Sequence, residues 1–283
     1  MRTLPTAISP VLAGTAISWW QGRAPLLVVG LCLVVALGLV IGVNFANDYS
    51  DGVRGTDDHR VGPQRLVGSG AAAPGRVRAA AFCCFGVSGL AGLAAVAATG
   101  HWWLLAVGVA CVLAAWFYTG GRHPYGYLGL GEVFVLIFFG LVATAGTDYL
   151  LCGRVSAAGW VAAVAMGLTA DGVLVTNNLR DIASDTAAGK RTLETRLGDR
   201  ASRLLYAGLV VAVAVCCVLV AALSTWWALL GLLGVALLVP AARTILGGAV
   251  GLRLVSTLRS TSMGELVLSL GLLAGVAVAR LTA

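Results

Sequence analysis

Residues 25–58 read PLLVVGLCLVVALGLVIGVNFANDYSDGVRGTDD, and this stretch decides the fold. Its first part, residues 25–43, carries no charged side chain and has roughly the 20-residue length that crosses a bilayer as a helix. Its second part places Asn44, Asn47, Asp48 and Asp51 within about two helical turns, directly after the apolar run. The stretch therefore predicts a transmembrane helix that ends in an acidic cluster at one membrane surface.

The rest of the chain repeats this apolar pattern. Its 283 residues are 59% hydrophobic and 11% charged, whereas a soluble domain carries roughly a quarter charged residues. We predict an all-α membrane protein with one transmembrane domain, residues 1–283, and about nine transmembrane helices. The predicted spans are 5–20, 25–47, 77–98, 102–119, 126–147, 157–179, 203–222, 225–247 and 262–281.

Basic residues are distributed unequally between the two sides that these spans define. Only Arg23, Arg154 and Arg280 fall on one side, which leaves sixteen of the nineteen lysine and arginine residues on the other. Because cytoplasmic loops carry the excess of positive charge, we predict a multi-pass protein of the plasma membrane with its N-terminus inside and its C-terminus outside. This topology also explains the net charge of +7, so nucleic acid is not an expected partner.

The first acidic cluster lies at the predicted cytoplasmic end of the second span. Asn44, Asp48 and Asp51 fall at i, i+4 and i+7, which places them on one face of a helix, and Asn47 lies beside them. Acidic residues continue at Asp57 and Asp58, after the helix is expected to end.

The second acidic cluster lies at the same end of the sixth span, where residues 177–190 read NNLRDIASDTAAGK. Asn177, Asp181 and Asp185 fall at i, i+4 and i+8, again on one helix face, and Asn178 borders them. Two similar clusters four spans apart indicate two similar corners that the fold brings together.

Carboxylates of like charge one helical turn apart repel each other unless a cation lies between them. Mg²⁺ prefers a few carboxylates together with water and phosphate oxygens. We therefore predict that the two clusters face each other and hold Mg²⁺ around a pyrophosphate group; the alternative is that they are solvated helix ends. The predicted ligands are the carboxylates Asp48, Asp51, Asp57, Asp181 and Asp185, with the amides of Asn44, Asn47, Asn177 and Asn178 completing the shell.

Three cations accompany the clusters. Lys190, the only lysine of the chain, follows the second cluster and suits a point-charge partner for phosphate, or it only marks the cytoplasmic side. Arg180 lies inside the second cluster, where it can pair with a carboxylate or reach the pyrophosphate. Arg122 lies in a Gly-rich connection between spans 4 and 5 and can hold a phosphate.

The same connection offers aromatic rings. The face of Tyr118 can stabilise an allylic cation electrostatically, while Tyr125 and Tyr127 serve either the substrate or the interfacial aromatic belt. Glu132 and the intramembrane Asp171 are predicted to contact an aromatic acceptor, or else to be hydrogen-bonded structural residues.

These motifs resemble those of the UbiA superfamily of intramembrane prenyltransferases. Residues 44–51, NFANDYSD, are similar to the first Asp-rich motif of that family, and residues 178–193, NLRDIASDTAAGKRTL, are similar to the second. Residues 118–132, YTGGRHPYGYLGLGE, resemble a loop of the branch that transfers polyprenyl groups to 1,4-dihydroxy-2-naphthoate in menaquinone synthesis. The chain departs from the wider pattern at Gly55, which leaves open whether Asp57 or Asp58 is a ligand.

The resemblance implies helices around a central cavity with cytoplasmic cap loops, and Mg²⁺ as cofactor. It implies transfer of a polyprenyl group from its diphosphate to the naphthoate with loss of CO₂, giving demethylmenaquinone. Other acceptors (4-hydroxybenzoate, haem, chlorophyllide or homogentisate) stay open, and a cation-coupled transporter is the alternative from another class. The residues expected to take part in catalysis are Asp48, Asp51, Asp181, Asp185, Lys190, Arg122 and Tyr118.

Overall fold

The computed structural model describes residues 3–55, 65–122 and 124–282. Within these ranges the chain is helical, without a strand, as the sequence predicts. The helices are α1 (Leu4–Trp20), α2 (Leu26–Arg54), α3 (Pro74–Thr99), α4 (Leu104–Phe117), α5 (Gly131–Cys152), α6 (Ala157–Ala187), α7 (Leu193–Leu223), α8 (Trp226–Leu246) and α9 (Leu252–Thr282).

Seven of these helices are long and apolar enough to cross a membrane, namely α2, α3 and α5 to α9. α1 has 17 residues and α4 has 14, and at the rise of an α-helix they measure about 26 and 21 Å, less than the ~30 Å hydrocarbon core. The multi-pass helical fold is therefore confirmed, while nine crossings and a central cavity stay predictions.

Three predicted helix starts are wrong. α9 begins at Leu252 rather than at 262, and α7 begins at Leu193 rather than at 203, with a break at Gly198, where φ is +79°. α5 begins at Gly131 rather than at 126, after a short 3₁₀ turn at Tyr125–Tyr127. Hydropathy detects the part of a helix that lies in apolar surroundings, so it misses the polar turns that extend α7 and α9. In α5 the error has the opposite sign, because the aromatic residues before the helix form a separate turn.

Several helix ends meet on the side of the protein opposite the acidic clusters. The buried carboxylate of Asp148, near the end of α5, accepts hydrogen bonds from Ser18 at the end of α1 (2.8 Å) and from the backbone N–H of Ser156 before α6 (3.3 Å). Arg280 near the end of α9 donates to the carbonyl of Trp19 (2.7 Å). Most tryptophans stand at helix ends on this side, as in an interfacial belt: Trp19, Trp20, Trp102, Trp103, Trp160, Trp226 and Trp227.

α6 is the central helix of the protein. In its apolar 18-residue stretch 72% of the residues are buried, against 28–44% in the corresponding stretches of the other six long helices. α5 packs closely against it through a π-helical segment, Leu136–Ala145, in which a methyl group on Gly140 would lie 2.5 Å from the carbonyl oxygen of Ala163. Small residues allow such close approach in membrane proteins. The second acidic cluster thus stands on the most firmly packed helix.

Candidate active site

The first cluster lies at the end of α2. Asp48 and Asp51 are buried, and the carboxylate of Asp48 accepts hydrogen bonds from the backbone N–H groups of Leu66 and Val67, both at 2.9 Å. These bonds bring the segment that follows α2 back over the helix end. Gly52 permits this approach, because a methyl group there would lie only 2.6 Å from Cβ of Val67.

The second cluster lies at the end of α6. Arg180 donates from Nε and Nη2 to the two carboxylate oxygens of Asp181, at 2.7 and 2.6 Å, and from Nη2 to Oδ1 of Asn177 at 2.9 Å. Of the two roles predicted for Arg180, the structure shows the pairing with a carboxylate. The ammonium group of Lys190 lies 3.4 Å from Oδ2 of Asp185.

The loop between α4 and α5 contacts the first cluster. The hydroxyl of Thr119 donates to Oδ1 of Asn47 (2.8 Å), and the hydroxyl of Tyr127 donates to Oδ1 of Asp51 (2.9 Å). Arg54, the last residue of α2, donates to loop carbonyl oxygens, including that of Thr119. The loop is therefore held against the acidic end of α2 by four hydrogen bonds.

The same loop contacts the segment that follows the second cluster. The backbone N–H of Arg191 donates to the carbonyl of Tyr127 (3.2 Å), and the guanidinium of Arg196 donates to that of Leu128 (2.9 Å). The Lys190 ammonium lies 5.5 Å from the centre of the Tyr127 ring. One loop, and within it one tyrosine, thus contacts residues of both acidic ends.

Other predicted site residues lie elsewhere. Arg122 is exposed on the loop. Asn44 is also exposed, and its amide nitrogen donates to the carbonyl of Val40 (2.7 Å) and faces the hydroxyl of Thr3 before α1 (3.3 Å). The predicted ligand Asp57 and its alternative Asp58 lie outside the described residues.

The two remaining loop tyrosines pack into the base of the loop. The Tyr125 hydroxyl donates to the carbonyl of Ala114 (2.9 Å), and its ring stacks on Phe134 with centres 4.0 Å apart. Burial raises the pKa of the Tyr125 phenol, which keeps it neutral. Tyr118 meets Tyr125 edge to face at 5.4 Å and lies against Gly126, where a methyl group would stand 2.9 Å from its ring.

Three carboxyl residues lie next to the second cluster, of which Asp171 and Glu194 are buried and Glu132 is half-buried. Asn178 donates to Oε1 of Glu132 (3.3 Å), and Asp171 and Glu194 lie near enough to Glu132 to interact with it electrostatically. Glu194 is fully buried beside Glu132 and Asn178, and Oδ1 of Asp171 has no hydrogen-bond partner among the described residues. Asp171 and Glu132, both predicted to face the acceptor, therefore lie close together.

Sequence reasoning missed roles for Arg54 and Glu194 and left Tyr127 undecided between substrate and aromatic belt. One signal was available for Arg54. Arg54 follows Asp51 at i+3, so it lies one turn further along the same helix if α2 continues past Asp51, as it does in the structure. No comparable signal marks Glu194, which becomes buried only because α7 starts earlier than its apolar run.

The donor atoms of the clusters suit a hard cation. In the described parts of the chain, no three Asp, Glu, His or Cys side chains lie close enough to hold a metal ion by themselves. Each cluster offers carboxylate and amide oxygens, which are the donors that Mg²⁺ takes, usually with water and phosphate completing the shell. The arrangement fits an open magnesium site of this kind and does not fit a closed structural one.

The fold and this site define a multi-pass helical membrane protein with two acidic clusters under a shared loop. Residues 7–249 match the UbiA prenyltransferase family. The chain is 48% identical over 281 residues to the 1,4-dihydroxy-2-naphthoate octaprenyltransferase of Mycobacterium tuberculosis, covering 99% of this chain and 96% of that relative. This chain therefore belongs to the UbiA prenyltransferase family.

Solved structures share the fold. A UbiA homologue from Aeropyrum pernix superposes with a TM-score of 0.66 at 16% identity, covering 97% of this chain and 98% of that one. A UbiA homologue from Archaeoglobus fulgidus, bound to GPP and Mg²⁺, superposes with a TM-score of 0.59 at 13% identity, covering 96% and 98%.

Proposed function

We propose that this chain transfers a polyprenyl group from polyprenyl diphosphate to 1,4-dihydroxy-2-naphthoate, with loss of CO₂. The observation that carries the proposal is the loop between α4 and α5, whose Tyr127 contacts Asp51 of one cluster and Lys190 beside the other. The similarity to the mycobacterial naphthoate octaprenyltransferase along nearly the whole chain supports this choice of substrates.

The carboxylates Asp48, Asp51, Asp181 and Asp185 would hold Mg²⁺, with Asn47, Asn177 and Asn178 as neutral oxygen donors. When bound, magnesium supplies positive charge that neutralises and orients the diphosphate. The GPP and Mg²⁺ bound to the archaeal homologue support this cofactor. Asp57 stays a predicted further ligand.

Lys190 would bind the diphosphate; the position of its ammonium at the edge of the second cluster, 3.4 Å from Asp185 and 5.5 Å from the centre of the Tyr127 ring, supports this role. Arg180, by contrast, is occupied by Asp181 and orients that carboxylate. Arg122 lies exposed on the loop and would reach a phosphate only from the solvent side. Positive charge near the leaving group stabilises the charge that develops on it.

The reaction balances without a net proton transfer. The bond between C1 of the allylic chain and the diphosphate oxygen breaks, and its electron pair leaves with the diphosphate. The naphthoate ring carbon that bears the carboxylate bonds to C1, and CO₂ then departs and returns its bonding pair to the ring. The first product is the quinol form of demethylmenaquinone. The ring face of Tyr118 would stabilise positive charge on the allylic carbon, as predicted from the sequence.

The acceptor would lie toward Glu132 and Asp171. Oδ1 of Asp171 is buried without a hydrogen-bond partner among the described residues, whereas Glu132 already accepts from Asn178. An unpartnered buried carboxylate oxygen favours a ligand that donates a hydrogen bond, and the two hydroxyl groups of the naphthoate are such donors. The hydroxyl of Tyr125 is already bonded to Ala114, so its contribution would come from its ring. If the naphthoate lies near Glu132, Glu194 would also lie close to it.

We further propose that the acidic clusters face the cytoplasm of the cell, with the N-terminus inside and the C-terminus outside. The excess of lysine and arginine on the cluster side supports this orientation. The tryptophan-rich helix ends would then lie at the outer surface.

The test uses purified protein in detergent with 1,4-dihydroxy-2-naphthoate, a set of polyprenyl diphosphates, Mg²⁺ and mass spectrometry of the lipid product. Wild-type protein should form the prenylated, decarboxylated product, and Asp181→Asn should abolish turnover while remaining folded. Asp199→Asn is the matched control, because Asp199 pairs with Arg203 and its side chain is 61% exposed. Near-normal turnover by Asp181→Asn would refute the metal role of Asp181. Product formed with 4-hydroxybenzoate but not with 1,4-dihydroxy-2-naphthoate would refute the proposed acceptor.

A further inference from the structure

Tyr127 connects the two acidic ends through different parts of one side chain. Its hydroxyl donates to Oδ1 of Asp51 at 2.9 Å. Its ring is contacted by two cations, with the ammonium of Lys190 at 5.5 Å and the guanidinium of Arg54 at 5.7 Å from the centre. Its carbonyl accepts the backbone N–H of Arg191 at 3.2 Å.

We propose that Tyr127 is a positioning residue that sets Asp51 and Lys190 at a fixed separation for a metal–diphosphate ligand. The inference rests on the proposed function, which makes Asp51 a metal ligand and Lys190 a phosphate-binding cation. Partners of metal ligands orient the coordinating oxygens, and their loss typically costs about 10–100-fold in metal affinity.

The backbone around Tyr127 is well placed to hold its side chain in one position. Gly126 lies against Tyr118, and its N–H donates to the carbonyl of that residue at 3.0 Å. Gly129 has a φ of +74°, which only glycine adopts readily, and it lies against the carbonyl of Arg191. A side chain fixed by its loop can orient its partners without further loss of freedom when a ligand arrives.

The contact with the ring suits a phosphate-binding lysine. A ring face attracts the ammonium of Lys190 through its quadrupole but does not neutralise its charge. Asp185, the other neighbour of that ammonium at 3.4 Å, would be drawn to magnesium when the metal binds. Lys190 would then stay at the ring with its full charge available to a diphosphate oxygen.

The two contacts can be separated by substitution. Tyr127→Phe removes the hydrogen bond to Asp51 and keeps the ring, whereas Tyr127→Leu removes both. Tyr149→Phe is the matched control, because Tyr149 lies on the opposite side of the protein against Trp103 and His101. Binding of Mn²⁺, measured by electron paramagnetic resonance, reports on the metal site, and calorimetry with inorganic pyrophosphate at saturating Mn²⁺ reports on Lys190.

Tyr127→Phe should weaken Mn²⁺ binding by about tenfold and change pyrophosphate affinity by less than about twofold. Tyr127→Leu should show the same loss for Mn²⁺ and weaken pyrophosphate binding by a further factor of about three, as expected for a lost cation–π contact. Tyr149→Phe should match wild type in both measurements.

Wild-type Mn²⁺ affinity in Tyr127→Phe, or an equal loss of pyrophosphate binding in both Tyr127 variants, would overturn the inference. If Tyr127→Leu does not fold, Tyr127→Phe alone decides through its split between metal and pyrophosphate binding. If wild-type protein binds neither Mn²⁺ nor pyrophosphate, the proposed function fails, and the positioning role falls with it.

Discussion

Gly52→Ala tests whether the segment after α2 is docked through Asp48. The added methyl group would lie 2.6 Å from Val67 and 3.1 Å from the backbone nitrogen of Gly68. To restore ordinary contact near 3.4 Å, the segment must retreat by about 0.8 Å. A retreat of that size would stretch the 2.9 Å bonds from Leu66 and Val67 to Asp48 to about 3.7 Å, beyond hydrogen-bonding distance.

Each hydrogen bond to a charged group contributes about 1.5–3 kcal/mol, so losing two should destabilise the docked segment by about 3 kcal/mol or more. Alanine in place of glycine favours a helix by about 1 kcal/mol, which offsets only part of this loss. We expect a lower melting temperature, faster hydrogen exchange across residues 65–70, and at least tenfold lower turnover, since Asp48 loses the donors that orient it.

Gly30→Ala is the matched control in the same helix, since a methyl group at Gly30 would have nothing within 4 Å. It should keep wild-type exchange and turnover and gain a little stability. Wild-type protection of residues 65–70 in Gly52→Ala would refute the docking argument.

Two further predictions concern a buried ion pair and the orientation of the chain. Arg180→Met should lower the free energy of unfolding in detergent by about 3–5 kcal/mol, because the side chains of Arg180 and Asp181 are only 2% and 7% exposed. Arg122→Met, at an exposed position, is the control and should change the stability little. Equal stability in both variants would contradict the pairing of Arg180 with Asp181. A phosphatase fused after residue 283 should be active outside the cell and one fused after residue 187 inactive, and the reverse pattern would refute the proposed orientation.

The sequence was sufficient for features that depend on local spacing. Apolar length predicted the helices, and the spacing of Asn177, Asp181 and Asp185 predicted one acidic helix face. Contacts between distant segments could not be predicted in this way. The hydrogen bonds from Leu66 and Val67 to Asp48 depend on how residues 65–70 fold back, and no periodicity encodes that return.

The burial of Glu194 shows the same limit for single charges. Glu194 precedes the apolar run of its helix, so hydropathy gives no reason to expect it in the interior. In the structure α7 starts at Leu193, after a Thr192 cap that accepts the N–H of Thr195, and this places Glu194 in the first helical turn against α6. A helix cap, rather than hydropathy, therefore decides where that carboxylate lies.

The contacts of the acids indicate that they do not contribute equally to a metal site. Both oxygens of Asp48 already accept backbone N–H groups, but a carboxylate has about four acceptor positions, so a metal can still bind to it. The carboxylate of Asp48 would then bind the docked segment and the cation at the same time. Because the N–H donors orient the carboxylate, the docked segment should favour binding of the cation, and the cation should in turn favour the docked segment. Metal binding and the docking of residues 65–70 are therefore expected to be coupled, and exchange of that segment should change when Mn²⁺ is added.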